Sequence, residues 1–231
     1  MAKYDVTKLN LAVDRLLAAT QNPRHRFLLQ AYGRHRYLEV AGRYEEIFAP
    51  EMMAPAPAYH FRAAGINATF EGQDGVKSLY RMWAETDQSI FFVENEQVAV
   101  ADNFIASTAV FRQQISGKTR ILRAALSYLP GFLSERILKR LLAAKEFKAD
   151  PNAMYLYSSF VEMVWLYDDR GRLLGEDVWE PEPDKAEIIK LDPADVLTSE
   201  ESGRLLAPLI KPLPSFDEMV LQQRASLQQS A

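Results

Sequence analysis

Two short stretches set proton-active side chains among apolar ones. In Tyr59-His60-Phe61 an imidazole sits between two aromatic rings, and an imidazole titrates near neutral pH, which suits proton transfer. In residues 173–180, LLGEDVWE, three acids share a strand-like run with two leucines and a tryptophan. Strict alternation groups Leu173, Gly175, Asp177 and Trp179 on one face, and Leu174, Glu176, Val178 and Glu180 on the other. The Trp179 face is the expected inside, so Asp177 is expected to go in with it. A carboxyl held in an apolar pocket has its pKa raised and can act as a general base. The competing readings are a rim histidine bonded to a backbone carbonyl for His60, and a structural ion pair with an arginine for Asp177.

Further candidates depend on register and helix phase. Glu162 lies mid-strand in SSFVEMVWLY; a four-residue turn at Asp168–Gly171 sets it opposite Asp177, whereas a three-residue turn sets Met163 there. His35 and Tyr32 ride on or beside the apolar stripe of a long helix, where a lone histidine also serves as a satisfied core residue. Tyr59 joins the catalytic candidates as a hydroxyl able to donate to a developing oxyanion, a role open to other tyrosines too. Tyr44, Tyr80, Trp83, Tyr157, Trp165 and Trp179 are core residues or the walls of a site for an aromatic ligand. Arg34, Arg36 and Arg43 read as solvated or interface charges. Asp102 and Asn103 read as a turn.

Several chemistries have no sequence signal. His25, His35 and His60 have no metal-ligand spacing, and there is no HExxH, GxSxG, P-loop or GxGxxG. Cysteine is absent, which removes disulfides and thiolate chemistry. What remains is the pattern of an acid–base pocket that works without metal or organic cofactor. The net charge of −4 and pI near 5.5 give no reason to expect nucleic acid or an anionic membrane as partner. No run approaches the roughly 20 apolar residues of a membrane helix. The first 20 residues, with Asp5, Asn10 and Asp14 among their apolar positions, make a poor signal peptide, and a cytoplasmic location is expected.

The elements that must position these groups follow from caps, turns and periodicity. A short amphipathic helix carries Leu9, Val13, Leu16 and Leu17. A second helix opens at Asn22-Pro23 and is expected to run to Phe48, where Ala49-Pro50 stops it. Short strands near Tyr59–Phe61 and Ala68–Glu71 lead to a helix over about 73–86. Long strands over 89–101, 104–115, 153–167 and 172–180 complete the order, which implies an α+β fold with one curved antiparallel sheet wrapped around its helices. A basic, helical insertion at 116–150 interrupts that sheet, as a lid, a subunit contact or a surface helix. Residues 181–231 form a proline-bearing extension expected to lie on the domain (1–180) or on a neighbouring subunit. Both faces of the strand over 153–167 are apolar, so a homodimer or homotrimer is expected.

The phrases NPRHRFLLQAYGRHRYLEVAGRYEEIFAP, ATFEGQDGVKSLYRMWAET and YDDRGRLLGEDVWE resemble the nuclear transport factor 2-like superfamily, and within it the SnoaL-like proteins. The resemblance covers roughly residues 22–180 apart from the insertion. It implies a cone in which a bent sheet and helices enclose an apolar pocket, the fold of ketosteroid isomerase, scytalone dehydratase, polyketide cyclases and a transport factor without chemistry. That family often keeps an acid on a late strand facing into the cone, which here matches Asp177. More loosely, the helix and hairpin phrases are similar to the cofactor-independent diarylpropane lyases of lignin catabolism. The implied activity is a lyase acting on a bulky apolar aromatic alcohol, giving a stilbene and formaldehyde. The alternatives are an isomerase, dehydratase or cyclase, or a non-catalytic carrier.

Overall fold

The computed structural model describes residues 4–63, 66–118 and 150–222. Most of the basic insertion expected at 116–150 therefore lies outside the described residues. The helices are α1 (Leu11–Ala19), α2 (Pro23–Val40), α3 (Gly72–Glu85) and α4 (Ser199–Leu206). The strands are β1 (Met53–Ala63), β2 (Ile66–Glu71), β3 (Phe91–Val100), β4 (Phe104–Ser116), β5 (Met154–Tyr167), β6 (Leu173–Trp179) and β7 (Glu187–Lys190).

Helix α2 begins where its cap predicts. The Asn22 side chain accepts from the backbone N–H groups of Arg24 and His25, and Pro23 takes the first helical position. It ends at Val40, eight residues before the expected Phe48. Gly42 turns the chain with φ 68°, and a 3₁₀ turn, Tyr44–Phe48, replaces the last stretch of expected helix.

The strands form one sheet in the order β2-β1-β6-β5-β4-β3, with β7 added to β5. Every pair is antiparallel except β1 with β6, which run parallel. Alternation sends Val161, Met163 and Trp165 of β5 to the inside, where they meet α2 (Leu28, Tyr32, Leu38) and α3 (Val76, Leu79, Tyr80, Trp83). The curved sheet and these two helices form one α+β layer pair with the main core between them. On the other face Phe160, Leu166 and Trp179 are among the exposed apolar residues.

Described residues beyond Trp179 are built into the same core. Leu191 and Leu206 pack with Tyr37, Val40, Phe91 and Leu156, and Val220 joins the main cluster. Arg24 ties two turns to the start of α2: its Nε donates to Asp102 O at 2.5 Å, and its two amino groups to Asp168 O and Asp169 O at 2.7 Å each. No helix among the described residues is long and apolar enough to cross a membrane.

Candidate active site

Between α2 and the inner face of β4, β5 and β6 lies a cavity of about 70 Å3. Its walls are aromatic and aliphatic: Tyr32, Phe61, Trp83, Phe91, Phe111, Tyr157, Val161, Met163, Trp165 and Val178. Its polar side chains are Arg36 and Glu39 from α2, Gln113 from β4 and Glu176 from β6. Tyr32, Arg36 and Glu39 stand four and three residues apart, so one stripe of α2 delivers all three.

The acid that β6 turns inward is Glu176, and the reason is a bulge. Tyr167 pairs with Leu173 but Leu166 pairs with Gly175, so Leu174 is an extra residue with no partner of its own. From there the faces exchange: Glu176 and Val178 sit opposite the inward Trp165 and Met163, while Asp177 and Trp179 sit opposite the outward Val164 and Glu162. Gly175 lets β1 and β6 close at this point, since a Cβ there would stand 1.9 Å from Ala58 O.

This register corrects four expectations. Asp177 is exposed on the outer face, beside Val164 rather than Glu162. Trp179 is 54% exposed and does not line the cavity. Glu162 is half-buried on the outer face opposite Trp179, because neither expected turn register contains the bulge. His60, the neighbour of Asp177 on β1, is also exposed, and its Nδ1 meets Thr69 Oγ1 at 3.1 Å. Arg36 reverses a further expectation: it is 2% exposed, not a solvated charge.

The remaining candidates divide between cavity wall and support. Tyr32, Trp83, Tyr157 and Trp165 line the cavity. His35, Tyr59 and Tyr80 form a buried chain: His35 Nε2 lies 2.7 Å from the Tyr80 hydroxyl, which donates to the Tyr59 hydroxyl at 3.1 Å. With its one proton directed at Tyr59, Tyr80 accepts from the Nε2–H of His35. Tyr59 is in turn the direct neighbour of Glu176 across β1 and β6. Tyr44 stacks on the far side of Tyr80, with centroids 6.4 Å apart. Tyr157 lines the cavity and donates from its hydroxyl to Glu180 Oε1 at 2.5 Å.

Burial dominates the electrostatics. Glu39 is pushed up to about 8 by loss of solvent, with Arg36 pulling the other way. Burial and then the Glu39 charge hold Glu176 well above the usual carboxyl range, against the pull of Arg36. Burial, then Arg36, lowers His35 to about 3, so the imidazole is neutral. Burial raises Tyr32 to about 12. Neither the Glu39 nor the Glu176 carboxyl is hydrogen bonded to a described residue, whereas Arg36 Nη1 lies 3.0 Å and 3.2 Å from the two oxygens of Glu96. Arg36 Nη2 and Trp165 Nε1 are buried donors without an acceptor among the described residues. Two free carboxyls beside a buried cation, walled by aromatics, can hold, give and take protons on an apolar guest.

Sequence reasoning missed Arg36, Glu39, Glu96, Gln113 and Glu176. The α2 pair was readable, because Arg36 and Glu39 continue the stripe of Tyr32. Glu176 was not, because strict alternation places it outward and only Gly175 hints at the extra residue.

No protein-family model matches the chain, and no curated protein matches it. Several solved structures are similar to it. One is a SnoaL-like protein from Jannaschia sp. CCS1 carrying a polyketide-cyclase designation, at 13% identity over 70% of this chain and 90% of that one, with a TM-score of 0.43. Another is a nuclear transport factor 2-like protein from Anabaena variabilis ATCC 29413, at 8% identity over 70% and 92% of the two chains, TM-score 0.43. The CaMKII hub of S. rosetta matches at 10% identity over 68% and 95%, TM-score 0.38. At such identities no residue role carries over.

Proposed function

We propose that the protein is a cofactor-independent enzyme performing general acid–base chemistry on an apolar, aromatic alcohol or carbonyl compound. The observation that supports this is the pair Glu39 and Glu176, two carboxyls without hydrogen bonds in an aromatic cavity beside one buried guanidinium. Arg36 already serves Glu96, so an anionic substrate would add to an excess of acid groups. A neutral, hydroxyl-bearing substrate fits better. At about 70 Å3 the cavity is smaller than the ~150 Å3 that takes a benzene-sized guest, so binding displaces a wall or leaves part of the guest outside.

The leading reaction is elimination with carbon–carbon cleavage, as for a lignin-type diarylpropane diol. Glu39, titrating at about 8, takes the proton of the terminal hydroxyl. The oxygen's electrons form the carbonyl of formaldehyde, the carbon–carbon bond breaks, and its pair forms the new double bond. The benzylic oxygen leaves as water with a proton from Glu176, whose carboxyl is held in the neutral form more strongly. Proton exchange between the two carboxyls resets the site. A second reading, isomerisation or cyclisation, uses the same groups: protonated Glu176 donates to an enolate oxygen while Glu39 moves the proton on carbon.

Incubation with an aromatic 1,3-diol, followed by formaldehyde release and stilbene absorbance, tests the first reading. Glu39→Gln and Glu176→Gln are each expected to lower kcat by about 10²-fold or more, with ligand affinity changed far less. Full turnover in both variants would rule out the assignment. Proton exchange or ring closure on a ketone without formaldehyde would favour the second reading, and binding without turnover would make the protein a carrier.

A further inference from the structure

Arg36 is a buried cation surrounded by more acids than it can neutralise. On α2 it is flanked by Tyr32, whose ring centroid lies 5.0 Å from its Cζ, and by His35, Tyr37 and Glu39. Asp14 feels it from α1, Glu96 from β3 and Glu176 from β6, with Asp177 behind Glu176 on the outer face. Among the described residues only Glu96 reaches ion-pair distance, 3.0 Å from Nη1, and the two side chains are 2% and 4% exposed.

Glu96 does not line the cavity. A distortion of β3 brings it to Arg36. Glu94 pairs with Val110 and Gln97 with Thr108, so Asn95 and Glu96 together face the single residue Ala109. Asn95 takes φ 54°, a left-handed conformation that asparagine tolerates better than most residues. Ala109, buried and small, leaves room for the longer side chain. The guanidinium is thus tied at Nη1, while Nη2 is buried with no acceptor.

We propose that Glu96 is a positioning residue: it anchors Arg36 from outside the cavity, takes up part of its charge, and so sets how readily Glu39 and Glu176 hold a proton. A guanidinium close to a carboxyl favours the ionised form, and a second carboxylate on the same guanidinium weakens that pull. The Asn95 bulge therefore acts on the cavity through Arg36. Only the consequence for turnover rests on the acid–base reading given above; the effect on proton affinity does not.

The test is Glu96→Gln, which keeps the shape and one acceptor for Arg36 while removing the charge. Glu39 and Glu176 are followed by NMR of ¹³C-labelled glutamate carboxyls, assigned with the Glu39→Gln and Glu176→Gln variants. The Glu39 midpoint is expected to fall from about 8 by about one pH unit or more, and the rise of kcat/KM with pH to move down with it. In an Arg36→Met background the same substitution is expected to shift Glu39 less than half as far. Glu96→Asp, whose shorter carboxylate retracts from Arg36, gives a smaller shift in the same direction and serves if Glu96→Gln does not fold. A lower melting temperature with unmoved carboxyl midpoints would make Glu96 a structural ion pair and overturn the proposal. Shifted midpoints in a protein inert toward aromatic alcohols and ketones would instead sink the enzymatic reading and leave this one standing.

Discussion

The cavity acids and the histidine behind them pull stability in opposite directions as pH changes. Glu39, at about 8 in the folded chain against a normal value near 4.5, binds more protons folded than unfolded across that interval. Its contribution therefore falls as pH rises from about 4.5 to 8. His35, lowered to about 3, binds fewer protons folded, so its contribution is present above about 6.5 and lost as pH falls below that. The two slopes oppose one another up to about pH 6.5, and Glu39 acts unopposed by His35 from there to 8. Glu39 alone is expected to lower stability over that upper window by as much as ~1.4 kcal/mol per pH unit, and Glu176, raised in the same direction, adds to the decline. Glu39→Gln should flatten the decline, as urea midpoints at pH 6.5 and 8 would show. At this scale the sequence was partly legible. Tyr32, Trp83, Tyr157 and Trp165, read as core residues or walls of a site, do line the cavity. The choice between Asp177 and Glu176 was not legible, because adjacent residues on a strand differ only in phase.

Two bulges decide what the elements deliver. In β6 the extra Leu174 turns Glu176 inward, and in β3 the Asn95–Glu96 pair turns Glu96 toward Arg36. Most element boundaries were readable to within a few residues because Asn22-Pro23, Asp102-Asn103 and DDRG carry local turn and cap chemistry, whereas α2 ends eight residues early and β1 begins six residues before the expected strand. Bulges carry weaker marks: both lie inside hairpins of consecutive strands, β3 with β4 and β5 with β6, away from the turn residues that set the hairpins. Gly175 is the exception in hindsight: a glycine inside a strand signals a bulge or a close backbone approach, and here it gives both. Gly175→Ala would place a methyl 1.9 Å from Ala58 O. It is expected to cost about 3 kcal/mol or more, read by urea unfolding, and to loosen Glu176, read by the carboxyl resonance. A wild-type midpoint would show that β1 and β6 part freely.

At the scale of the whole molecule, the described residues after Trp179 share the core of the residues before it. Leu206 is fully buried against Tyr37, Val40 and Leu156, and the Ser202 hydroxyl donates to Val40 O at the end of α2. Leu206→Ala is expected to lower unfolding stability by about 2–5 kcal/mol in a chemical melt, as for any core leucine. A loss under 0.5 kcal/mol would mean that α4 docks loosely. Residues 181–231 are too short of apolar side chains for a core of their own, and Leu206 instead completes the core of the residues before them. Arg24 works on the same scale, gathering the β3–β4 and β5–β6 turns onto the first turn of α2. All three of its bonds go to main-chain carbonyls, which every residue type supplies. As far as this clamp is concerned, related sequences are free to vary the side chains of both turns, while an insertion or deletion in either would pull a carbonyl out of reach. The constraint falls on loop length and leaves loop composition open.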